Sequence, residues 1–229
     1  MRTYALLPIV MLSLACGSAP PPVAPEPPPE PPPEKPGLMM HGELGVLNEA
    51  EIRSTFERVW RDAMTDCQKK GGDMISGHTL ARVRVNHSGG VKWAYLKETN
   101  LGDRSVEKCM LDAIRDTTWP IPEGGDDGIA EQELPFADYA DRPPVEWSSD
   151  KTRDVVSNNA SALSACRNGA AGAFVATMIV NKDGSVASVG IQQPDETADA
   201  AADCMVDVIR ELKFPKTGSW PAKVSFDVP

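Results

Sequence analysis

Five cysteines and three histidines are the side chains of this 229-residue chain whose types best suit chemistry. The cysteines fall as one, two and two: Cys16 near the start, then Cys67 and Cys109, then Cys166 and Cys204. Paired thiols can close a disulfide, ligate a soft metal or serve as nucleophiles. The histidines offer less. His41 precedes the first helical pattern, and His78 and His87 flank a single strand-like stretch, so a zinc site would have to recruit the thiolates as well. Asp126-Asp127-Gly128 and Asp183-Gly184 read as loop and turn residues, because the alternating oxygen donors of a calcium loop are missing. There is no nucleophile elbow, phosphate loop or dinucleotide fingerprint. The sequence therefore assigns no catalytic residue, cofactor or metal ligand. An enzyme would have to gather His78, His87 and carboxylates into one deep pocket.

The four later cysteines are placed by a duplication. Residues 81–120 recur at 176–215 with a constant offset of ninety-five and no gap. Eleven of the forty positions are identical: Ala81/Ala176, Val85/Val180, Asn86/Asn181, Gly89/Gly184, Val91/Val186, Cys109/Cys204, Met110/Met205, Asp112/Asp207, Ile114/Ile209, Arg115/Arg210 and Pro120/Pro215. Trp119/Phe214 keeps an aromatic before the proline. These are positions where turn geometry or core packing demands a residue type, so the match is a repeat rather than chance. Cys67 and Cys166 occupy corresponding places too, four residues out of step because the second copy is shorter in a loop. One pair per copy reads as one disulfide each, Cys67 with Cys109 and Cys166 with Cys204; the alternative is two pairs of buried thiols.

The N-terminus bears on that choice. Residues 1–15 carry Arg2 and then an apolar run from Ala5 to Leu14, the pattern of a secretory signal too short to span a bilayer. Leu12-Ser-Leu-Ala-Cys16 resembles a bacterial lipobox, with Ser13 where leucine is usual, which implies that Cys16 is acylated. The other reading is ordinary signal cleavage that leaves Cys16 free. Gly17 stands where an aspartate would favour inner-membrane retention, so the resemblance implies a lipid-anchored protein of the bacterial outer membrane facing the periplasm. Residues 16–37 form a proline-rich linker broken by Glu26, Glu30, Glu34 and Lys35. A polyproline II spacer of that length reaches roughly 60 Å.

The elements that must hold the cysteines follow from periodicity. Asn48 caps an amphipathic helix carrying Ile52, Phe56, Val59, Trp60 and Cys67. Residues 79–85 alternate as a half-buried strand, and Ser88-Gly89-Gly90 turns the chain into a second strand over 91–96. Asn100 is placed to cap the next helix, with Val106, Cys109, Met110, Ala113 and Ile114 as its apolar stripe. Trp119-Pro120 ends that helix, and a last strand follows near 129–136. After a connector over 138–147, Ser148 or Ser149 caps a helix running to Cys166. The hairpin then recurs over 174–180 and 186–191, followed by a helix after Asp195 and a strand over 222–228. The expected fold is α+β: two tandem domains, 47–137 and 148–229. Each runs helix–strand–strand–helix–strand, with two helices on one face of a three-stranded antiparallel sheet.

A cysteine ending the first helix, a glycine-centred hairpin, a cysteine-bearing amphipathic helix and an aromatic–proline step together resemble the AgmX/PglI-type C-terminal domain. That domain is known from myxobacterial gliding-motility proteins and is similar to the TonB C-terminal domain. The first copy carries the pattern in Val85-Asn-His-Ser-Gly-Gly-Val91, Val106-Glu-Lys-Cys109 and Trp119-Pro-Ile-Pro122; the second departs after Phe214-Pro215-Lys216. The resemblance implies a non-catalytic periplasmic module that binds envelope proteins, and domains similar to TonB accept an extended peptide at a sheet edge. Strands 129–136 and 222–228 are the candidate edges. The net charge of −10 argues against a nucleic-acid partner. A ligand-binding or peptidoglycan-proximal lipoprotein is the alternative.

Overall fold

The computed structural model describes residues 44–71, 74–136 and 142–229. The signal segment, Cys16, the proline-rich linker and His41 lie outside the described residues. What is described contains five α-helices and two sheets, an α+β arrangement.

The first half opens with α1 (Glu49–Gly71). Asn48 Oδ1 accepts hydrogen bonds from the amides of Ala50 and Glu51, and Glu49 and Glu51 at one end and Lys69 and Lys70 at the other oppose the helix dipole. Strands β1 (Gly77–Asn86) and β2 (Val91–Thr99) form a hairpin, followed by α2 (Arg104–Arg115) and β3 (Asp127–Phe136). The sheet order is β2-β1-β3, antiparallel throughout. Phe56, Val83, Val85, Val106, Leu111 and Ile114 fill the core between sheet and helices.

The second half repeats the order with additions. Strand β4 (Val145–Glu146) and a 3₁₀ turn (Ser149–Lys151) precede α3 (Arg153–Asn158) and α4 (Ala160–Cys166). Then come β5 (Phe174–Val180), β6 (Val186–Gln192), α5 (Asp199–Arg210) and β7 (Ala222–Val228). The order here is β4-β7-β5-β6. A second core is built from Leu163, Phe174, Met178, Val189, Met205 and Ile209. Ile179 of β5 faces the other way and belongs to the first core, so the described residues fall in one compact unit rather than two isolated ones.

Three expectations need correction. The second sheet is four-stranded and mixed, because β4 runs parallel to β7 at Ala222 and Lys223. Two residues after Pro143-Pro144 carry no periodicity, and only the partner strand makes them a strand. The single helix expected from Ser148 or Ser149 to Cys166 is broken. Ser148 caps the 3₁₀ turn, and at Asn159 the backbone leaves helical geometry while Nδ2 donates to the Val155 carbonyl. The cap of α2 is Asp103, whose Oδ1 accepts from the amides of Ser105 and Val106. Asn100 instead accepts from the His78 amide at 2.8 Å, tying the end of the hairpin to the start of β1. The last helix follows Asp195 as the sequence indicates: Asp195 makes a turn with Thr197, and α5 starts at Asp199.

The shared residues of the two copies build one device twice. At the first hairpin tip Gly89 takes φ +79°, its amide donates to the Asn86 carbonyl, and its own carbonyl accepts from the Trp119 amide at 2.8 Å. At the second tip Gly184 takes φ +88°, donates to Asn181 and accepts from the Phe214 amide at 2.9 Å. A Cβ would lie 2.4 Å from the Trp119 carbonyl oxygen at Gly89 and 2.1 Å from that of Phe214 at Gly184. Asn, Gly and the aromatic before proline are thus one clasp between the hairpin and the segment leaving the second helix. Gly184→Ala must strain a left-handed backbone and displace a carbonyl, and it should cost about 2 kcal/mol in urea unfolding.

Candidate functional site

The sulfur positions come first. Cys67, at the end of α1, is joined to Cys109 of α2, and Cys166, at the end of α4, is joined to Cys204 of α5. Each bridge ties the two helices that cover one sheet. Cys67 and Cys166 are both buried, while their partners differ: Cys109 is half-buried and Cys204 is exposed, so the second bridge is the one with a solvent-facing cysteine.

The other residues singled out do not converge. His78 begins β1 and His87 lies in the turn after it, both exposed, and a ten-residue strand holds its ends roughly 30 Å apart. They do not meet in a pocket, and among the described residues no three His, Cys, Asp or Glu side chains are grouped to hold a metal ion. Asp127 is committed elsewhere: Lys92 at 2.7 Å and Arg84 at 2.6 Å hold its carboxyl below the usual carboxylate range. Asp183 is fixed by the Ser185 hydroxyl and amide and by Lys213, and its carboxyl is likewise held low.

What the fold offers is sheet edges, and it treats them unequally. The inner edges, β2 and β6, face each other and are stopped by side chains. The Thr99 amide of β2 donates to Gln192 Oε1 at 3.4 Å, and the Ile191 amide of β6 donates to Glu107 Oε2 at 3.2 Å. On the outer edge of the first sheet, Gly45 donates to the Asp127 carbonyl, and Val46 and Glu123 exchange backbone hydrogen bonds beside it. Alternate residues after Asp127 turn outward in the same sense: Ile129, Glu131, Glu133 and Pro135. Glu131 is turned back across the sheet to Arg82 and Lys97, while Glu133 and Pro135, which lacks an N–H, blunt that edge against further pairing.

The outer edge of the second sheet is different. The amides of Val145 and Trp147 donate to the carbonyls of Pro221 and Lys223, and there β4 stops. No strand of the described residues pairs with β7 on this side beyond Lys223, so Ser225 and Asp227 turn their peptide groups outward. Beside them lies a cleft of about 480 Å³ between β7 and α3. Val156, Ala160 and Phe226 give it apolar lining; Ser149, Thr152, Arg153 and Ser157 add hydroxyls and a guanidinium. Arg167 secures the far end, donating to the carbonyls of Val228, Pro229 and Gly172. The strand 222–228 expected as an open edge is thus covered over its first two residues and open after them. The signal missed in the sequence was Val145–Glu146. Neither a protein-family model nor a curated protein nor a solved structure matches this chain.

Proposed function

We propose that this chain is a non-catalytic envelope lipoprotein, anchored through acylated Cys16, whose two AgmX/PglI-type, TonB C-terminal-like modules bind envelope proteins. Its place is the periplasmic face of the outer membrane, and it works by accepting an extended peptide at a sheet edge. The observation that carries this reading is the uncovered stretch of β7 beside the cleft: outward peptide groups at Ser225 and Asp227, with an apolar lining from Val156, Ala160 and Phe226. Main-chain hydrogen bonds would supply affinity, and the pocket beside them specificity. The acidic, proline-ended edge of β3 is the poorer acceptor.

A photocrosslinker at Asp227, in cells carrying the full chain, reports what lies on the edge. Ser225→Pro removes the outward amide, and it should abolish the Asp227 crosslink while shifting the thermal transition by only a few degrees. A matching substitution on the other edge, Glu131→Pro, should leave the crosslink intact. Crosslinking that survives Ser225→Pro unchanged would overturn strand addition at β7. A small-molecule-binding lipoprotein is the second reading, because the cleft volume falls in the range of ligand pockets. It predicts a labelled low-mass compound rather than a protein on Asp227.

A further inference from the structure

The joint between the halves is built from residues at which the two copies differ. Arg104 and Asp199 occupy the same place in the repeat, as do Lys108 and Asp203, and each pair carries opposite charges. These pairs meet: Arg104 Nη2 lies 2.9 Å from Asp199, and Lys108 Nζ 2.6 Å from Asp203. Arg104 Nε also donates to Asp203 at 2.9 Å, and Arg115 reaches Asp199 at 3.2 Å. Lys223 of β7 completes the contact by donating to the Ser76 carbonyl.

At the centre sits Glu107, 0% exposed. Its Oε1 accepts from the Thr99 hydroxyl at 3.1 Å and its Oε2 from the Ile191 amide across the joint. The nearest cation is Arg104 at 3.7 Å, too far for a hydrogen bond, and two of the guanidinium nitrogens are engaged by the aspartates of α5. Room for the carboxyl comes from Gly190, where a Cβ would lie 2.2 Å from Glu107 Oε1. The duplicate of Glu107 is Ala202, and that of Gly190 is Tyr95. Carboxyl and vacancy are therefore a matched pair that exists only in this order of halves.

We propose that Glu107 makes the joint between the halves responsive to pH, closing it more firmly when the carboxyl is protonated and loosening it when the carboxyl ionises. A buried carboxylate with one distant cation loses more on desolvation than the hydrogen bonds return, and protonation removes that cost while one oxygen still accepts from Ile191. Consistent with this, burial pushes the Glu107 carboxyl up to about 7, against the opposing effects of Arg104, the Ile191 amide and Thr99.

Among the other charged groups around Glu107, Asp103, which caps α2, adds a neighbouring negative charge that pushes the Glu107 carboxyl in the same upward direction as burial. β6 presents no titratable side chain, Lys97 of β2 is turned to Glu131, and Glu98 is exposed. Burial pushes Asp203 up, but Lys108 and Arg104 outweigh it and hold the carboxyl below its usual range, so its contribution fails only in stronger acid. For Glu107 the closed-state value lies above that of the exposed carboxyl, 4.5. The closed joint therefore binds the extra proton between the two values, and closure weakens as pH rises from about 4.5 to about 7 and is flat above.

The test uses the intact chain in solution. The Glu107 carboxyl should titrate near neutrality by carbon NMR. The protection factor of the Ile191 amide, corrected for intrinsic exchange, should rise about tenfold as pH falls from about 8 to about 6. Glu107→Gln should flatten that profile. Thr99→Val removes a donor to the carboxylate and should move the Glu107 midpoint further up, a readout that stands if the glutamine variant does not fold. Titration of Glu107 in the ordinary carboxylate range would overturn the proposal, as would a glutamine variant that keeps the pH profile.

Discussion

Replacing Cys67 and Cys109 together by alanine should lower the unfolding free energy by about 4 kcal/mol and the thermal midpoint by about 10 °C. The first part of that loss is entropic. The bridge closes a loop of 42 residues, and opening it returns conformational freedom to the unfolded chain. The second bridge closes 38 residues, so chain entropy alone predicts nearly the same loss for Cys166 and Cys204. Packing separates the two. Each bridge has one buried cysteine, Cys67 in the first core and Cys166 in the second, but Cys109 is half-buried against the first core whereas Cys204 faces solvent, so the first replacement leaves the larger space. The first pair should therefore be the costlier to remove, and the second the faster to open in mild reductant. Urea unfolding of the two double variants, with peptide mapping after timed reduction, measures both. Equal stability loss and equal reduction rates would mean that burial plays no part and that loop length alone decides.

That result bears on how a small core survives. Each half packs its helices on a sheet of three or four strands, and at this size apolar burial gives only a modest surplus. The bridges join the two helices that cover each sheet, which is where a frayed helix would first expose the core. The strand addition proposed at β7 would gain from such a staple, because the edge must stay extended and accessible while the layer behind it stays closed.

What the chain revealed before its structure, and what it hid, follow from one property of repeats. Asn86, Gly89 and Trp119 stood out because Asn181, Gly184 and Phe214 repeat them, and both sets form the same clasp. The cysteine partners were readable for the same reason. The α2 cap was misassigned because Asn100 and Asp103 are both good capping residues, and Gly102 at φ +78° lets the chain turn once more before the helix begins. The joint was invisible. Arg104 and Asp199, Lys108 and Asp203, Glu107 and Ala202, Tyr95 and Gly190 count as mismatches when one copy is laid on the other, and mismatch is what lets unlike faces fit. Similarity finds what two copies need separately; it passes over what they need from each other.

The sharpest consequence is a transplant. Gly190→Tyr puts into the second half the residue that the first half carries at that place, and it should destabilise the protein by more than about 3 kcal/mol. The β-propensity of tyrosine would by itself favour the change in a strand. Sterics oppose it, because the first side-chain atom would already lie 2.2 Å from Glu107 Oε1 and 2.9 Å from the Asp103 amide nitrogen. If Glu107 moves aside, the Thr99 hydroxyl and the Ile191 amide lose their acceptor within a buried site, which adds to the cost. If it stays, the ring must push β6 away from α2 and stretch the pairing of Arg104 and Lys108 with α5. Adding Glu107→Ala, the residue of the other copy, removes the obstructing carboxyl and should recover at least half of the loss. The backbone of Asp103 still crowds the site, so recovery should be incomplete. Strictly additive losses in the double-variant cycle would show that the two side chains do not share a space, and the joint would then be held by the charge pairs alone.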